Sequence, residues 1–338
     1  MRVCVVGAGL AGSLLAWRLA ADRTVRVDLV GSPGADATAV SGGVVRGFET
    51  LPEQRELAMD SLDELLASPV LRDWSGYRET GSTYLPVNLP ADQLETAVKE
   101  IEAVCPGSAE LTVAPDGWSG LAAGAVAVTE RTAGRISPAA LRAAVLADLA
   151  DRITLRPGIA TGIGPGRCNG HEYDVVVLAT GAWTPGLLGS GSALRTKLIR
   201  YAVHEVSGWL PTCFVDETTG LYGAPGPDGL LLGVPTTEWD TDPSGAPAPN
   251  DPHPAAARAT ARFPRLRLGP VIRSAVAADC YTTPPVLALC TVDGSDGRLA
   301  TFTGGSGGAA KTALAASRRA AAQLTHTRSP DWTKGNRP

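Results

Sequence analysis

The sequence predicts an α/β fold, with a parallel-sheet domain interleaved with a second α+β domain built on an antiparallel sheet. Three observations predict it. The β-branched run Val3–Val6 leads directly into Gly7-Ala8-Gly9-Leu10-Ala11-Gly12 and an Ala/Leu-rich segment. A later apolar run ends in Ala179-Thr180-Gly181, and a glycine-rich stretch, Thr303–Gly308, precedes an Ala-rich segment near the end. Between these, 199–234 carries short apolar runs broken by Gly and Pro turns, the pattern of an antiparallel sheet.

Val3–Val6 suits a buried parallel strand, Ser13–Ala21 a helix and Val25–Val30 a second strand, which makes a βαβ start. Ser32–Gly47 reads as a loop of small residues. Leu57, Leu62, Leu65 and Leu66 recur at helical spacing within Leu51–Leu66. Thr80–Val87 reads as a strand and Asp92–Val104 as an amphipathic helix. Ser137-Pro138 is a good helix start, because Ser caps and Pro suits the first turn, and that helix should run to Leu149. Ile153–Leu155 and Asp174–Leu178 read as strands. The Pro/Asp-rich 240–253 stretch should be an exposed loop. Leu299–Phe302 should be the last strand, Lys311–Leu324 the last helix and 326–338 a flexible tail.

The first motif has a mechanical reason. Gly7 permits the tight turn, Gly9 lets backbone approach a diphosphate, and Gly12 lets the helix pack closely on the sheet. The helix start, with Leu10 and Ala11, offers N–H groups and a positive dipole end to phosphates. The strand–turn–helix context is what makes this a Rossmann-type signal. A carboxylate for the ribose hydroxyls is expected at the end of the second strand, but Gly31 stands there. Asp28 comes too early and should point elsewhere; Asp36 or Ser32 would have to serve.

The bulk numbers exclude several classes. Hydrophobic residues make up 44% of 338 and charged residues 19%, enough for a sizeable core and too apolar for wholesale disorder. A net charge of −4 gives no electrostatic reason to expect nucleic acid. Six scattered cysteines without a CxxC pair signal neither zinc nor a disulfide framework. Met1–Ala21 is apolar but punctuated by the glycine motif, so it reads as strand, turn and helix, not as an export signal. No run reaches membrane-spanning length. A cytoplasmic protein acting on a small molecule is the expectation; oligomeric state is not legible.

Taken in order, the motifs resemble the family of FAD-dependent enzymes that includes D-amino-acid oxidase, glycine oxidase and monomeric sarcosine oxidase. The resemblance rests on the opening glycine motif, Ser41-Gly42-Gly43-Val44-Val45-Arg46, the stretch Gly134–Leu141 and Ala179-Thr180-Gly181-Ala182-Trp183. Gly229–Gly233, Phe263–Leu266, Tyr281-Thr282-Thr283-Pro284 and Gly304-Gly305-Ser306-Gly307-Gly308 continue it. It implies a Rossmann-type FAD-binding domain (1–75, 135–195 and 285–325) and a substrate domain (76–134 and 196–284) covering the flavin. Gly7, Gly9, Leu10, Ala11, Gly12, Ser32, Gly42, Gly43, Thr180, Gly181, Trp183 and the 304–308 loop would hold FAD. The loop's N–H groups and the Lys311 ammonium would face the flavin pyrimidine ring, where reduction places negative charge.

The resemblance further implies oxidation of a C–N bond of an amine or amino acid, with O2 as one acceptor giving H2O2. Arg46 would contact the isoalloxazine edge or a substrate carboxylate, or is a surface arginine. Tyr222 would line the substrate cavity, or is an ordinary core tyrosine. Two departures stand out. Where sarcosine-oxidase-like members carry an oxygen-activating lysine, this chain has Leu231. The cysteine that attaches flavin in some members is displaced by one, to Cys280, so non-covalent FAD is favoured over a thioether. A flavin monooxygenase would show a Gly-Asp-Ala-type motif in place of the C-terminal glycines. A non-catalytic flavin-binding protein would bind cofactor without turnover.

Overall fold

In the computed structural model, residues 1–34, 36–189, 192–245, 254–305 and 307–326 are described. Two large sheets organise them. The first, here the nucleotide sheet, has six strands in the order Ala288–Thr291, Leu299–Thr303, Val175–Leu178, Arg2–Val6, Arg26–Val30 and Thr154–Arg156. All its pairings are parallel except the one at the Ala288–Thr291 edge. The helices Leu10–Leu19, Pro138–Leu149 and Ala313–His326 bury Leu14, Leu15, Leu141, Val145 and Leu314 in one core with Val3, Val5, Val27 and Leu29. Both faces of the central strands are buried, which is why they read as continuous apolar runs.

The second, here the cavity sheet, has eight strands in the order Leu266–Tyr281, Arg195–Gly208, Gly229–Gly233, Leu221–Gly226, Cys213–Asp216, Ser82–Leu85, Val126–Glu130 and Ala109–Val113. It is antiparallel except where Cys213–Asp216 pairs parallel with Ser82–Leu85. Leu230 and Leu232 point to one face, into a cluster with Phe214, Leu221 and Phe263. Leu231 points to the other, among Tyr201, Val203, Tyr222 and Ala275.

Several elements differ from expectation. The first helix starts at Leu10, three residues early, because Gly9 itself is the N-cap in an extended conformation (φ −72°, ψ −179°). A second short helix, Pro69–Ser75, follows Pro52–Ala67, capped by the Ser68 hydroxyl accepting from Leu71 N–H. The last helix begins at Ala313, after a 3-10 turn over Ala309–Lys311. Ser137 caps Pro138–Leu149 as expected, accepting from Ala140 N–H at 3.1 Å. The 16-residue strand Leu266–Tyr281 is absent from the sequence reading. It contains Gly269 and Pro270 and no sustained β-branched run, yet it pairs along nearly all of Arg195–Gly208, with register shifts near His204. It is an edge strand, where a proline costs no ladder bond. The tail lies, but for His326, outside the described residues, as does 246–253 of the Pro/Asp-rich loop.

Asp28 points away from the phosphate turn, as its position implied. Its Oδ2 accepts from the Tyr173 hydroxyl at 2.8 Å, Arg156 Nε at 3.0 Å and an Arg2 guanidinium nitrogen at 3.2 Å. Burial works against its charge, but these partners outweigh it and hold the carboxyl below its usual range. Asp28→Asn is expected to cost about 2–4 kcal/mol at neutral pH, by leaving two guanidinium groups without their shared anion. Because the folded value is depressed, the stabilisation is full above the unfolded carboxylate range and disappears as pH falls through the folded one. Denaturation curves at pH 7 and at successively lower pH check this: the difference between the two proteins should be full at pH 7 and shrink as the pH falls below the usual carboxylate range.

Candidate functional site

One cavity of about 870 Å³ lies between the sheets, near the upper end of the roughly 300–1,000 Å³ typical of cofactor and ligand sites. It is lined by the opening glycine turn, the 31–46 loop, the Ala179–Trp183 turn, the C-terminal glycine loop and the inner face of the cavity sheet.

The sequence-predicted residues converge there. Gly7, Gly9, Leu10, Ala11, Ser32, Gly42, Gly43, Arg46, Thr180, Gly181, Trp183, Tyr222, Gly304, Gly307, Gly308 and Lys311 all line it. Two do not. Gly12 sits on the helix side of the turn, where an added Cβ would lie 2.0 Å from the Gly7 carbonyl oxygen, so it sets the helix–strand approach. Gly305 turns away to bond with Thr282, its N–H donating to the hydroxyl at 3.1 Å. Ser306 lies outside the described residues.

Gly7 shows why the turn needs glycine. Its φ is +113°, and a Cβ there would lie 2.4 Å from the Ala179 carbonyl oxygen. The opening turn and the Ala179-Thr180-Gly181 turn thus press together backbone to backbone. Gly9 brings no capping side chain, and Gly9, Leu10 and Ala11 line the cavity at the helix start; Leu10 N–H donates to Thr38 Oγ1 at 3.0 Å. At the neighbouring strand end neither proposed substitute is an idle group. Asp36 Oδ2 accepts from an Arg142 guanidinium nitrogen at 2.7 Å, and Ser32 Oγ accepts from Gly158 N–H at 3.1 Å.

The opposite end carries a buried charge cluster. Glu49 Oε1 accepts from an Arg46 terminal nitrogen at 2.9 Å and from Lys311 Nζ at 2.6 Å. Arg46 Nε also donates to the Phe48 carbonyl at 2.9 Å, and its guanidinium lies 4.7 Å from the Tyr84 ring centre. All three charged residues are under 10% exposed, which removes the surface-arginine reading of Arg46. Burial opposes the charge on Glu49, but Lys311 and Arg46 overcome it and hold the carboxyl below its usual range. Burial pushes the Lys311 ammonium below the usual lysine range, against the pull of Glu49. Glu130, fully enclosed, accepts from Gly47 N–H (2.7 Å) and Phe48 N–H (2.9 Å) and so braces the loop that carries Arg46 and Glu49.

The cavity sheet supplies Tyr201, Tyr222 and Leu231. The Tyr222 ring lies on Gly233, and its hydroxyl donates to the Arg200 carbonyl at 3.3 Å. Burial pushes the Tyr222 phenol up to about 12. Along Leu266–Tyr281 the strand alternation places Asp279 and Tyr281 on the cavity and Cys280 on the far side, 1% exposed. Burial pushes the Cys280 thiol up to about 11, the opposite of an activated nucleophile. Asp279 takes an N–H bond from Cys280 at 2.8 Å; burial pushes its carboxyl up to about 6.

Sequence reasoning missed Glu49, Glu130 and Asp279. The signals were there: Glu49 stands three residues from Arg46, and Asp279 borders the Tyr281-Thr282 motif. What was not visible is which face each takes.

The fold and cavity define a two-sheet dinucleotide-fold protein whose nucleotide turn and antiparallel sheet share one pocket. The chain belongs to the FAD dependent oxidoreductase (DAO) family, whose model matches residues 2–323. No curated protein sequence matches it significantly. Glycine oxidase from Geobacillus kaustophilus superposes with a TM-score of 0.73 at 20% identity, covering 98% of this chain and 96% of that one. L-proline dehydrogenase from P. horikoshii gives 0.74 at 16%, covering 97% and 94%. L-amino acid deaminase from Proteus vulgaris gives 0.70 at 18%, covering 98% and 94%. These likenesses establish the Rossmann-type domain with a second sheet domain. Among the described residues no helix is long and apolar enough to cross a membrane, and no cluster of His, Cys, Asp and Glu could hold a metal ion.

The residues present fit FAD. Gly7 lets the turn press against Ala179, the N-cap Gly9 brings no side chain into the cavity it lines, and the cavity continues to a buried ammonium.

Proposed function

We propose that this FAD-dependent oxidoreductase oxidises the C–N bond of an amine or amino acid to an imine. The observation that carries the reading is the cavity in which the glycine turn, the Lys311 loop and the cavity sheet meet. FAD, when bound, accepts the hydride from the carbon next to nitrogen. The relatives named above as glycine oxidase, L-proline dehydrogenase and L-amino acid deaminase support the substrate class.

The chain's own residues do the rest. The Gly9 and Ala11 N–H groups would hold the diphosphate, with Ser32 and Gly158 beside the ribose. Gly42, Gly43, Thr180, Gly181 and Trp183, which line the cavity, would wall the rest of the cofactor. The Lys311 ammonium, with the N–H groups of the glycine loop, supplies positive potential where reduction deposits negative charge. Arg46 and Glu49 hold Lys311 in place. Tyr222, Tyr201 and Leu231 shape the substrate side and exclude water. The cofactor is bound non-covalently, because Cys280 faces away from the cavity behind its own strand. The nucleotide unit comprises 1–75, 135–195 and 285–325; the substrate unit comprises 76–134 and 196–284.

Leu231 leaves an apolar side chain where sarcosine-oxidase-like members have a lysine. With no cation there to stabilise developing superoxide-like charge, reaction with O2 should be slow. Anaerobic mixing of the FAD-loaded protein with a panel of amines and amino acids tests both points. At least one amine should bleach the flavin absorbance, and admitted air should restore it slowly. Absence of bleaching across the panel would shift the reading to a non-catalytic flavin protein. Fast recovery in air would refute the role given to Leu231.

A further inference from the structure

Two buried cations beside a cavity are the chemistry that recognises an anion. Arg46 and Lys311 both line this cavity, yet both are already bonded to the same oxygen, Glu49 Oε1, at 2.9 and 2.6 Å. Glu49 lines the cavity as well. The second buried carboxylate nearby, Glu130, spends its two oxygens on the Gly47 and Phe48 N–H groups and does not compete for either cation. Arg46 Nε is taken by the Phe48 carbonyl. One carboxylate of the chain itself thus pairs with both cations.

We propose that Glu49 is a built-in counter-ion occupying the seat that Arg46 and Lys311 would offer a carboxylate, so that the enzyme selects amines without a free carboxylate over α-amino acids. The inference rests on the amine-oxidation reading for the word substrate, but not for the seat. A carboxylate entering this end must displace Glu49 from two buried cations or lie beside its charge. Both are costly where water is excluded. A neutral amine meets no such barrier. Glu49 is thus a specificity-determining residue, acting through charge at a place where size would discriminate little.

The test is ligand affinity, read by calorimetry and by perturbation of the flavin spectrum, on the FAD-loaded protein. Benzoate and its neutral isostere benzamide are titrated against wild type and Glu49→Gln. In wild type benzoate should bind no more tightly than benzamide. In Glu49→Gln benzoate should gain about tenfold or more, the size of one freed charge-assisted bond, with benzamide unchanged. Glu49→Asp, shorter by one methylene, is the milder variant and should gain less in the same direction. Wild type preferring benzoate tenfold over benzamide, or a preference that neither variant moves, would overturn the proposal. A merely structural Glu49 would weaken both ligands together. Failure of every amine to bleach the flavin would remove the oxidation reading while leaving the benzoate result standing. Carboxylate preference in wild type would remove the counter-ion and leave amine oxidation intact.

Discussion

Gly12→Ala is expected to purify colourless and with a lowered melting temperature. The added Cβ would lie 2.0 Å from the Gly7 carbonyl oxygen and 3.0 Å from the Ala179 Cβ. The nearest obstacle is backbone, so no side-chain rotation relieves it. The helix must lift from the strand end, and the helix start then moves away from the place the diphosphate takes. We expect a loss of about 3 kcal/mol or more in stability and at least a hundredfold in FAD affinity. The measurement is the flavin-to-protein absorbance ratio after dialysis, with thermal denaturation of the apoprotein alongside. The apoprotein matters because it separates the steric cost from the loss of ligand stabilisation. A yellow variant with wild-type stability would show that the turn relaxes freely, and the phosphate cradle would have to be placed elsewhere.

Lys311→Met is expected to slow anaerobic flavin reduction by about 100–1,000-fold, the usual effect of removing one preorganised donor from a site of developing negative charge. It also leaves Glu49 with Arg46 alone, so stability should fall by about 3 kcal/mol. Lys311→Arg keeps the charge and should recover most of the stability but only part of the rate, since its planar fork cannot place a single nitrogen at the same point. A pH profile distinguishes the electrostatic role from a structural one. Burial lowers the Lys311 ammonium below the usual lysine range, so wild-type reduction should decline as pH rises through that lowered value. Lys311→Met should lack that limb. Equal rates for Met and Lys at neutral pH would end the assignment.

Much of this architecture was legible in the order of the residues. Val3–Val6 followed by Gly7, Gly9 and Gly12 is a local steric pattern, and the structure realises it with Gly7 in the left-handed region and Gly12 against a carbonyl. Ser137-Pro138 announced a helix start for the same local reason. Leu266–Tyr281 announced nothing, because an edge strand with Gly269 and Pro270 owes its conformation to its partner, Arg195–Gly208. The register of that pairing also decides that Asp279 faces the cavity and Cys280 does not. A slip of one residue would exchange them, and no local pattern forbids it.

The sequence by itself determined where backbone must come close to a dinucleotide, since steric demands on glycine act between near neighbours and are written in spacing. Only the tertiary structure decided the charge of the pocket. Arg46 and Glu49 come from a loop beside the first strands and Lys311 from the turn before the last helix, and their partnership exists because the nucleotide sheet brings those segments into one water-excluded place. Coulombic pairing in such a place depends on distance and burial, and neither is a property of a residue's position along the chain.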